Sequence, residues 1–235
     1  MLDIDSVSRI AASVEGWLSD AQGRALYTAA SRVRGHGAIV EIGSWKGRST
    51  VWLAHGARCA GARVIAVDPH ANSREDPKAN TLEAFRANIA RAGVEERVEP
   101  MVMTSAEAAC ALRQDVELLF VDGDHSIEGA LADAIVWLPR VVPGGIVMFH
   151  DVATSGYSGP RRVFQTMICR NHQFHRLRRV GSMMIADRTD RRSRAQGLRS
   201  RLVDLLLYFY DGEAAFKRAL RRLRRARLHP SVVTS

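Results

Sequence analysis

The segment Val40–Thr50 constrains the fold more than any other part of this sequence. An apolar run, Ala38–Ile42, carries one acid, Glu41, near its end and is followed by two glycines four positions apart, Gly43 and Gly47. A helical pattern begins directly after the second glycine. Because glycine lacks a Cβ atom, such a turn lets a ligand approach the backbone closely. The segment therefore predicts a strand, a ligand-binding turn and a helix in succession.

The spacing of this turn and its acid narrow the choice of ligand. Dinucleotide-binding folds carry G-x-G-x-x-G, whereas this turn has the pattern G-x-x-x-G. A phosphate-binding P-loop needs lysine directly after its glycine, and the residue here is Arg48. The Glu41 carboxylate would repel phosphate, but it suits a cationic or zwitterionic ligand. We therefore expect S-adenosylmethionine (SAM) rather than NAD or ATP.

Strand-like and helix-like segments alternate through the middle of the chain, which is typical of a parallel sheet covered by helices on both faces. Two helices are predicted within residues 5–33 and a further helix near 161–171. The apolar runs Phe174–Val180 and Met183–Ala186 predict an antiparallel hairpin that closes the sheet. The predicted strands are 38–42, 63–67, 98–103, 117–121 and 145–149, and the helical patterns between them are 48–60, 79–92, 105–113 and 127–138.

Length and composition favour one globular domain with appendages, since the chain has 235 residues, 46% of them apolar and 25% charged. We assign residues 1–190 to this domain, with 1–34 as an N-terminal helical cap, and 191–235 to an Arg-rich helical tail. No apolar run reaches the ~18 residues of a membrane span, and the acidic N-terminus lacks the pattern of a secretory signal. Three widely spaced cysteines indicate reduced thiols. We therefore expect a cytoplasmic protein.

The formal net charge of +9 belongs largely to the tail, where arginines are dense between Arg188 and Arg227. Such a tail is compatible with nucleic-acid binding, although a solvated helix face that packs on a partner subunit is the simpler interpretation. Leu202–Tyr210 is strongly apolar apart from Asp204. We expect this run to be buried within the chain or in a homodimer, for which the N-terminal helices are a second candidate surface, and membrane-surface binding is the alternative.

Ligands of open α/β sheets bind at the carboxyl ends of the strands, and two polar residues follow strands there. Asp68, after the second strand, is placed to accept hydrogen bonds from ribose hydroxyls. On its own it would be a turn-forming aspartate before proline. Ser105, after the third strand, could contact an adenine edge or could cap a helix.

Two further strand ends carry a dense polar cluster, in the segments Asp122–Ser126 and His150–Asp151. Asp122, His150 and Asp151 could converge on one divalent cation. Oxygen-rich ligation suits Mg²⁺, and one nitrogen ligand leaves Mn²⁺, Fe²⁺ or Co²⁺ open.

The remaining polar residues of these segments have other predicted roles. His125 is a candidate base for a substrate hydroxyl, since an unperturbed imidazole titrates near neutral pH. For Asp124 and Ser126 we favour capping of the next helix, and capping of a turn is the alternative for Asp151. Together these groups fit methyl transfer to oxygen, because an alcohol is a poor nucleophile until a metal lowers the pKa of its hydroxyl and a base removes the proton.

With these motifs the chain resembles the class I SAM-dependent methyltransferases. The resemblance covers residues 35–190. Within the family the chain is most similar to a bacterial branch with an Asp-Gly-Asp-His-Ser motif, which is related to metal-dependent sugar and macrolide O-methyltransferases and more distantly to catechol-type enzymes. It is carried by Glu41–Ser49, Asp68, Phe120–Gly129 and Pro143–Val152.

The resemblance implies a Rossmann-like, doubly wound sheet of seven strands with the last strand antiparallel. It places Asp122, His150 and Asp151 where the family binds its metal. The chain departs from the family pattern at one point, because His150-Asp151 stands where related enzymes carry Asp-Asn or Asp-Asp. The predicted catalytic residues are His125 and Asp122. The residues predicted to contact SAM are Glu41, Gly43, Ser44, Gly47, Ser49, Asp68, Ser105 and Asp122.

The sequence therefore predicts a SAM- and Mg²⁺-dependent O-methyltransferase whose acceptor is a sugar or glycoside hydroxyl, such as that of a methylated polysaccharide precursor. Three alternatives remain open: a phenol or natural-product hydroxyl as acceptor, a nucleic-acid substrate, and a SAM-binding module without catalysis. The Asn-Pro-Pro-aromatic signature of exocyclic-amine methylation is absent from the sequence, which weakens the nucleic-acid alternative. The choice of acceptor is expected to depend on loop 154–160 and the N-terminal helices.

Overall fold

Seven strands form one mixed sheet in the computed structural model, which describes residues 2–71, 80–190 and 200–207. The strand order is β3-β2-β1-β4-β5-β7-β6, in which β1 to β5 pair in parallel and β7 pairs antiparallel with both β5 and β6. The predicted seven-stranded, doubly wound sheet with an antiparallel last strand is confirmed. The strands are β1 (Ala38–Ile42), β2 (Val64–Val67), β3 (Val98–Met101), β4 (Val116–Val121), β5 (Val141–Phe149), β6 (Phe174–Val180) and β7 (Met183–Arg188).

Helices cover both faces of this sheet. None of the helices within residues 2–71, 80–190 and 200–207 combines the length and apolarity that crossing a bilayer requires. The α-helices are α1 (Ile4–Ala12), α2 (Asp20–Ala30), α3 (Arg48–Ala57), α4 (Thr81–Arg91), α5 (Ser105–Ala111), α6 (Ile127–Trp137), α7 (Gly159–Val163), which continues as a π-helix over Phe164–Cys169, and α8, described over 200–207. Short 3₁₀ turns lie at Arg58–Ala60, Glu95–Arg97 and Leu138–Arg140.

The central strands are buried on both faces, which explains their nearly continuous apolar sequences. Every residue of β1, β2 and β4 is buried. Val40 and Ile42 belong to the core on one side of the sheet, and Ile39 belongs to the core on the other side, because alternate side chains of a strand point to opposite faces. The sheet is thus a rigid layer whose carboxyl edge can carry a site.

The N-terminal helices pack closely on the helix that follows the glycine turn. A Cβ atom at Gly23 of α2 would lie 2.1 Å from the Trp52 indole nitrogen, and one at Gly56 of α3 would lie 2.4 Å from the Tyr27 carbonyl oxygen. Since no larger residue fits at these two points, the cap and α3 pack as one layer beside the sheet.

The fifth strand begins earlier than the sequence suggests. Val116 pairs with Val141, whereas Leu118 pairs with Ile146, so the chain bulges between the two pairs. Gly144 adopts a left-handed φ of 85° within this bulge. The residues just before the predicted start at 145 therefore lie inside the strand, since a bulge absorbs extra residues without ending the strand. The predicted hairpin is confirmed as β6 and β7.

The tail was expected to be a separate helical segment, and only its part 200–207 lies within the described residues. This part packs on the domain, because Leu207 is buried in the core and Asp204 accepts a hydrogen bond of 3.0 Å from the Arg170 guanidinium. The exposed side chains of α8 include Leu202, Leu205 and Leu206. The Arg-rich stretch 214–227 and the end of the apolar run at 208–210 lie outside the described residues.

Candidate active site

The glycine turn joins the carboxyl ends of β1, β2 and β4. Gly43 and Gly47 have φ angles of 86° and 90°, and Trp45 between them also adopts a positive φ, 42°. The Trp45 backbone N–H donates to the Asp68 carboxylate at 2.8 Å, which ties the turn to the end of β2. A Cβ atom on Gly43 would lie 2.3 Å from the Asp122 carbonyl oxygen, so only glycine fits beside the end of β4.

Glu41 lies beneath this turn and is fully buried. Burial raises the pKa of Glu41 to about 7, and hydrogen bonds from Ser49 and Thr50 partly oppose that rise. The Thr50 hydroxyl donates to Glu41 Oε2. Glu41 Oε1 and the buried Ser44 hydroxyl have no hydrogen-bond partner among the described residues. Two unsatisfied polar atoms behind a glycine turn fit a polar ligand that supplies the missing partners.

The third helix, α3, begins at this turn without a side-chain cap. Gly47 is its N-cap residue and offers no side-chain hydrogen bond to the first amides of the helix. By contrast, Thr104 caps α5 and Ser126 caps α6 with their hydroxyl groups. The first amides of α3 are therefore not covered by an N-cap side chain on the side where the turn would receive a ligand.

Asp68 uses both carboxylate oxygens to hold the backbone. One oxygen accepts from Trp45 as described, and the other accepts from the His70 backbone N–H at 2.7 Å. The side chain retains 17% exposure. Because a carboxylate oxygen has two lone pairs, Asp68 has further acceptor capacity for the predicted ribose contact.

The environment of Ser105 excludes one of its two predicted roles, that of a helix cap. It is the first residue of α5, and the cap is its neighbour Thr104, so the capping alternative for Ser105 is wrong. Its hydroxyl accepts a hydrogen bond of 2.8 Å from the Trp137 indole and bonds the Asp133 carboxyl. Burial raises the pKa of Asp133 to about 6. Sequence reasoning missed Asp133, whose one indication was an acid within an otherwise apolar helix, and contact of Ser105 with adenine stays a prediction.

The loop between α1 and α2 contacts the outer side of the glycine turn, and sequence reasoning missed this connection. We call Glu15–Trp17 the N-terminal clasp. Its contacts are an ion pair of 2.7 Å between Glu15 and Lys46, a hydrogen bond of 2.7 Å from the Arg48 guanidinium to the Gly16 carbonyl, and a tilted ring contact of 4.7 Å between the centroids of Trp17 and Trp45. The clasp therefore holds the turn from the side opposite to the sheet.

Four acidic and histidine side chains meet at the ends of β4 and β5, and we call them the acid–histidine cluster: Asp122, His125, His150 and Asp151. His150 Nδ1 lies 3.1 Å from Asp122 Oδ1 and 3.5 Å from Asp151 Oδ2. His125 Nε2 lies 3.2 Å from Asp151 Oδ2 and 3.7 Å from Asp122 Oδ1. Each carboxylate thus lies between two imidazoles.

The pKa values in this cluster follow from the pairing. Burial disfavours the charged form of His150, but its hydrogen bonds to Asp122 and Asp151 outweigh this and raise its pKa to about 10. Burial likewise opposes protonation of His125, and the hydrogen bond to Asp151 still raises its pKa. Burial acts to raise the pKa of Asp151, yet the two histidines hold it well below its usual range. Asp151 also adopts a positive φ, 51°.

The cluster also has the composition and spacing of a cation site. One ligand atom each from Asp122, His125 and Asp151 can be chosen so that all lie within 4.8 Å of one another. The predicted metal ligands Asp122, His150 and Asp151 are also brought together, and His125 joins them. His150 Nε2 is buried without a hydrogen-bond partner among the described residues. Two carboxylates and two imidazoles fit a divalent cation, and the nitrogen content suits Mn²⁺, Fe²⁺ or Co²⁺ as well as Mg²⁺.

The favoured capping role of Ser126 is confirmed, whereas Asp124 bonds the cap residue and does not itself cap the helix. The Ser126 hydroxyl accepts from the Gly129 backbone N–H at 3.0 Å, and Asp124 accepts from both the Ser126 amide and its hydroxyl. These two residues therefore shape the loop that carries Asp122 and His125, and they do not join the cluster.

A small cavity of about 10 Å³ opens beside the cluster. Apolar side chains form much of its wall, and the acid–histidine cluster contributes the polar groups. The Tyr157 ring stacks on His125, one of the residues that line the cavity, with a centroid distance of 4.2 Å. The cavity is lined by Val121, Asp122, Gly123, Asp124, His125, Ala130, Phe149, His150 and Pro160.

Comparison with known proteins places the two halves of this site in one matched region. A family model described as a methyltransferase domain matches residues 40–152, which include the glycine turn and the whole cluster. The chain is 32% identical over 155 residues to a catechol O-methyltransferase of Mycobacterium tuberculosis, covering 66% of this chain. The match spans 62% of that relative, which is less than two thirds of its length.

Solved structures agree with the fold. An O-methyltransferase from Bacillus cereus in complex with SAH has a TM-score of 0.60 at 23% identity, covering 79% of this chain and 90% of that one. The O-methyltransferase TomG from Streptomyces achromogenes, in complex with SAM, has a TM-score of 0.58 at 20% identity, with 80% and 91% of the two chains covered. At these identities the likeness concerns the fold.

Proposed function

Because the chain belongs to the class I SAM-dependent methyltransferases, we propose that it transfers the methyl group of SAM to a hydroxyl oxygen of a small acceptor. The observation that carries this proposal is the acid–histidine cluster, which lies directly beside the glycine turn. We infer a sugar or glycoside hydroxyl as acceptor, with a phenol or natural-product hydroxyl as the alternative. Transfer to oxygen needs a group that removes the hydroxyl proton, and this edge of the sheet supplies one.

The glycine turn and the residues behind it support SAM as the methyl donor. The unsatisfied oxygens of Glu41 and Ser44 are suited to the zwitterionic methionine end of SAM, and Asp68 to its ribose hydroxyls. A sulfonium methyl is already a strong electrophile, so the protein's contribution is to position donor and acceptor and to activate the hydroxyl. Gly43 at the junction of β1 and β4 supports this arrangement, because it lets the turn lie against Asp122.

We assign different tasks to the two histidines on the basis of their exposure. The His150 side chain is 6% exposed and faces both carboxylates, which favours the role of a ligand together with Asp122 and Asp151. The His125 side chain is 28% exposed at the cavity, which favours removal of the acceptor proton at Nε2. A divalent cation held by these ligands would supply Lewis acidity that lowers the pKa of the acceptor hydroxyl. Mg²⁺ is the expected cation, and Mn²⁺, Fe²⁺ or Co²⁺ would also suit the nitrogen ligand.

The first experiment measures cofactor binding and turnover separately. Calorimetry should detect binding of SAM and SAH by the whole chain. A panel of methyl glycosides, catechol and RNA, assayed with labelled SAM, should give methylated product from a hydroxyl-bearing small molecule. EDTA should abolish the reaction and added Mg²⁺ or Mn²⁺ should restore it. Mn²⁺ binding followed by electron paramagnetic resonance gives a readout that does not depend on turnover.

The alternative outcomes have distinct meanings. Activity that persists in EDTA would show that no metal is required, and the proposed methyl transfer would still stand. SAM binding without turnover on the whole panel would indicate a module that has lost catalysis. Methylation of RNA with a steep salt dependence would replace the small acceptor by a nucleic acid.

A further inference from the structure

The loop between β5 and α7 is fixed to the loop that carries His125. A Cβ atom at Gly159 would lie 2.3 Å from the Ser126 carbonyl oxygen and 2.4 Å from that of His125, so the two backbones touch at this point. At the other end of the same loop, the fully buried Arg161 donates a hydrogen bond of 2.6 Å to the Thr154 carbonyl oxygen. The chain between these two anchors is therefore held at both ends beside His125.

Tyr157 lies between the two anchors, and its ring covers one face of the His125 imidazole. The two rings stack with a centroid distance of 4.2 Å and an interplanar angle of 29°. The edge of the same imidazole faces two carboxylates, because its Nε2 lies 3.2 Å from Asp151 Oδ2 and 3.7 Å from Asp122 Oδ1. Two kinds of contact thus act on one imidazole, with carboxylates at its edge and an aromatic ring on its face.

The two histidines of the acid–histidine cluster differ in what holds their rings. The His150 side chain is 6% exposed and pairs with both carboxylates, so the protein interior surrounds it. The His125 side chain is 28% exposed and lies in the loop before α6. The second side-chain torsion of a histidine is only weakly restricted, and a partner at the ring edge still lets the plane of the ring swing. Stacking on Tyr157 restricts that plane.

We propose that Tyr157 is a positioning residue that acts through His125, because it holds the imidazole in the plane in which Nε2 faces the two carboxylates. The inference rests on the proposed methyl transfer to oxygen, in which Nε2 of His125 removes the proton of the acceptor hydroxyl. A base must lie within hydrogen-bond reach of that proton, so an imidazole that swings away spends less time in the productive orientation. In this role Tyr157 affects the rate of methyl transfer and not the binding of the acceptor.

The test compares two substitutions at this position with one in the same loop, using whichever hydroxyl-bearing acceptor the enzyme methylates. Tyr157→Ala removes the ring, Tyr157→Phe keeps it, and Ser155→Ala changes an exposed neighbour that bears no ring. Tyr157→Ala should lower kcat about 3- to 10-fold, the loss expected for one stacked ring pair. The KM values for the acceptor and for SAM should not change. Tyr157→Phe should restore kcat, and Ser155→Ala should match wild type throughout.

A double-substitution cycle separates action through His125 from a general loss of structure. In a His125→Ala background the imidazole that Tyr157 positions is gone, so Tyr157→Ala should cause no further loss of kcat. A purely structural role would lower kcat by the same factor in both backgrounds. Circular dichroism and thermal melting of each variant identify a substitution that fails to fold.

A second measurement does not require turnover. In the SAH-saturated protein, ¹³C relaxation of the histidine rings reports their picosecond-to-nanosecond motion, and the signal that is lost in His125→Ala assigns the His125 ring. This ring should become more mobile in Tyr157→Ala and should stay as ordered as in wild type in Tyr157→Phe. The His150 ring should keep its order in both variants, because the protein interior surrounds it, and it serves as the internal control.

These results separate the failure of this inference from the failure of the proposed function. A folded Tyr157→Ala with unchanged kcat, or with a raised acceptor KM in place of a lower kcat, would overturn the positioning role. An equal loss in Tyr157→Phe, an additive loss in the His125→Ala background or an unchanged motion of the His125 ring would also overturn it. If no acceptor is methylated but the His125 ring loosens in Tyr157→Ala alone, Tyr157 still orders that ring and the O-methyltransferase proposal fails.

Discussion

The two halves of the candidate site are built by different means. The half at the ends of β1 and β2 is shaped mainly by the backbone. Two glycines and one tryptophan have positive φ angles, and a carboxylate accepts hydrogen bonds from backbone N–H groups. The half at the ends of β4 and β5 is made of side chains, in which two acids lie 3.1–3.7 Å from two histidines. The half shaped by the backbone can bind a ligand without exchanging protons with it, whereas the half made of side chains can exchange protons and hold a cation.

Two buried acids illustrate the difference. Glu41, under the turn, has hydroxyl groups as its partners, and burial raises its pKa to about 7. Asp151, in the cluster, is also largely buried, but two histidines keep its pKa well below the usual range. Burial alone therefore favours the neutral acid, and cationic partners reverse that preference. Of these two acids, Asp151, in the half assigned to chemistry, is the one that is fully ionised at neutral pH.

The largest expected effect comes from a substitution that removes charge from the acid–histidine cluster and leaves the glycine turn unchanged. Asp151→Asn keeps the size of the side chain and removes its negative charge between His125 and His150. We expect methyl transfer to fall by about 1,000-fold, which corresponds to about 4 kcal/mol of transition-state stabilisation and matches the loss of metal-assisted activation. Initial rates give the activity, and calorimetry gives the SAM dissociation constant, which should change less than threefold.

The matched control for this prediction is Asp204→Asn. It removes a carboxylate of α8 that pairs with Arg170, away from the candidate site. It should leave both quantities unchanged. A large loss of SAM affinity in Asp151→Asn would contradict the division of tasks, because the cluster would then contribute to cofactor binding as strongly as the turn.

The second prediction concerns the stability of the backbone-built half. The pKa of Glu41 is raised on folding, so folding takes up a proton between about pH 4.5 and 7, and stability decreases as the pH rises through that window. The largest contribution of one such carboxyl is about 2 kcal/mol between pH 5 and 6.5. Glu41→Gln should remove it, as measured by urea unfolding at the two pH values.

Asp133, whose pKa is raised to about 6, contributes with the same sign and provides the comparison. Asp133→Asn should remove a similar share of the pH dependence, and the double variant should be nearly flat over this range. An unchanged slope in Glu41→Gln would mean that Glu41 is ionised in the folded protein, and the contrast with Asp151 would be lost.

The parts of the site also differ in how far the sequence predicts them, and the reason is physical. The turn at Gly43 and Gly47 and the acids at strand ends were predictable, because local spacing determines a turn and the topology of a parallel sheet brings carboxyl ends to one edge. The N-terminal clasp and the Tyr157 stack were not predictable. They join residues from distant parts of the chain through side-chain packing, which leaves no periodic pattern in the sequence. Asp133 was missed for the same reason, since its partner Ser105 belongs to another helix.

The smallest expected effect tests whether the clasp belongs to the cofactor half alone. Trp17 is 66% exposed and contacts Trp45 within the turn, so Trp17→Ala removes one aromatic pair, worth about 1 kcal/mol. We expect the SAM dissociation constant to rise by about fivefold, with kcat at saturating SAM unchanged and with Trp17→Phe close to wild type. Ile135→Ala, an exposed apolar position on α6, serves as the remote control. A fall in kcat at saturating SAM would show that the clasp also acts on the acid–histidine cluster, because Gly43 touches the backbone of Asp122 and would transmit any displacement of the turn to the cluster.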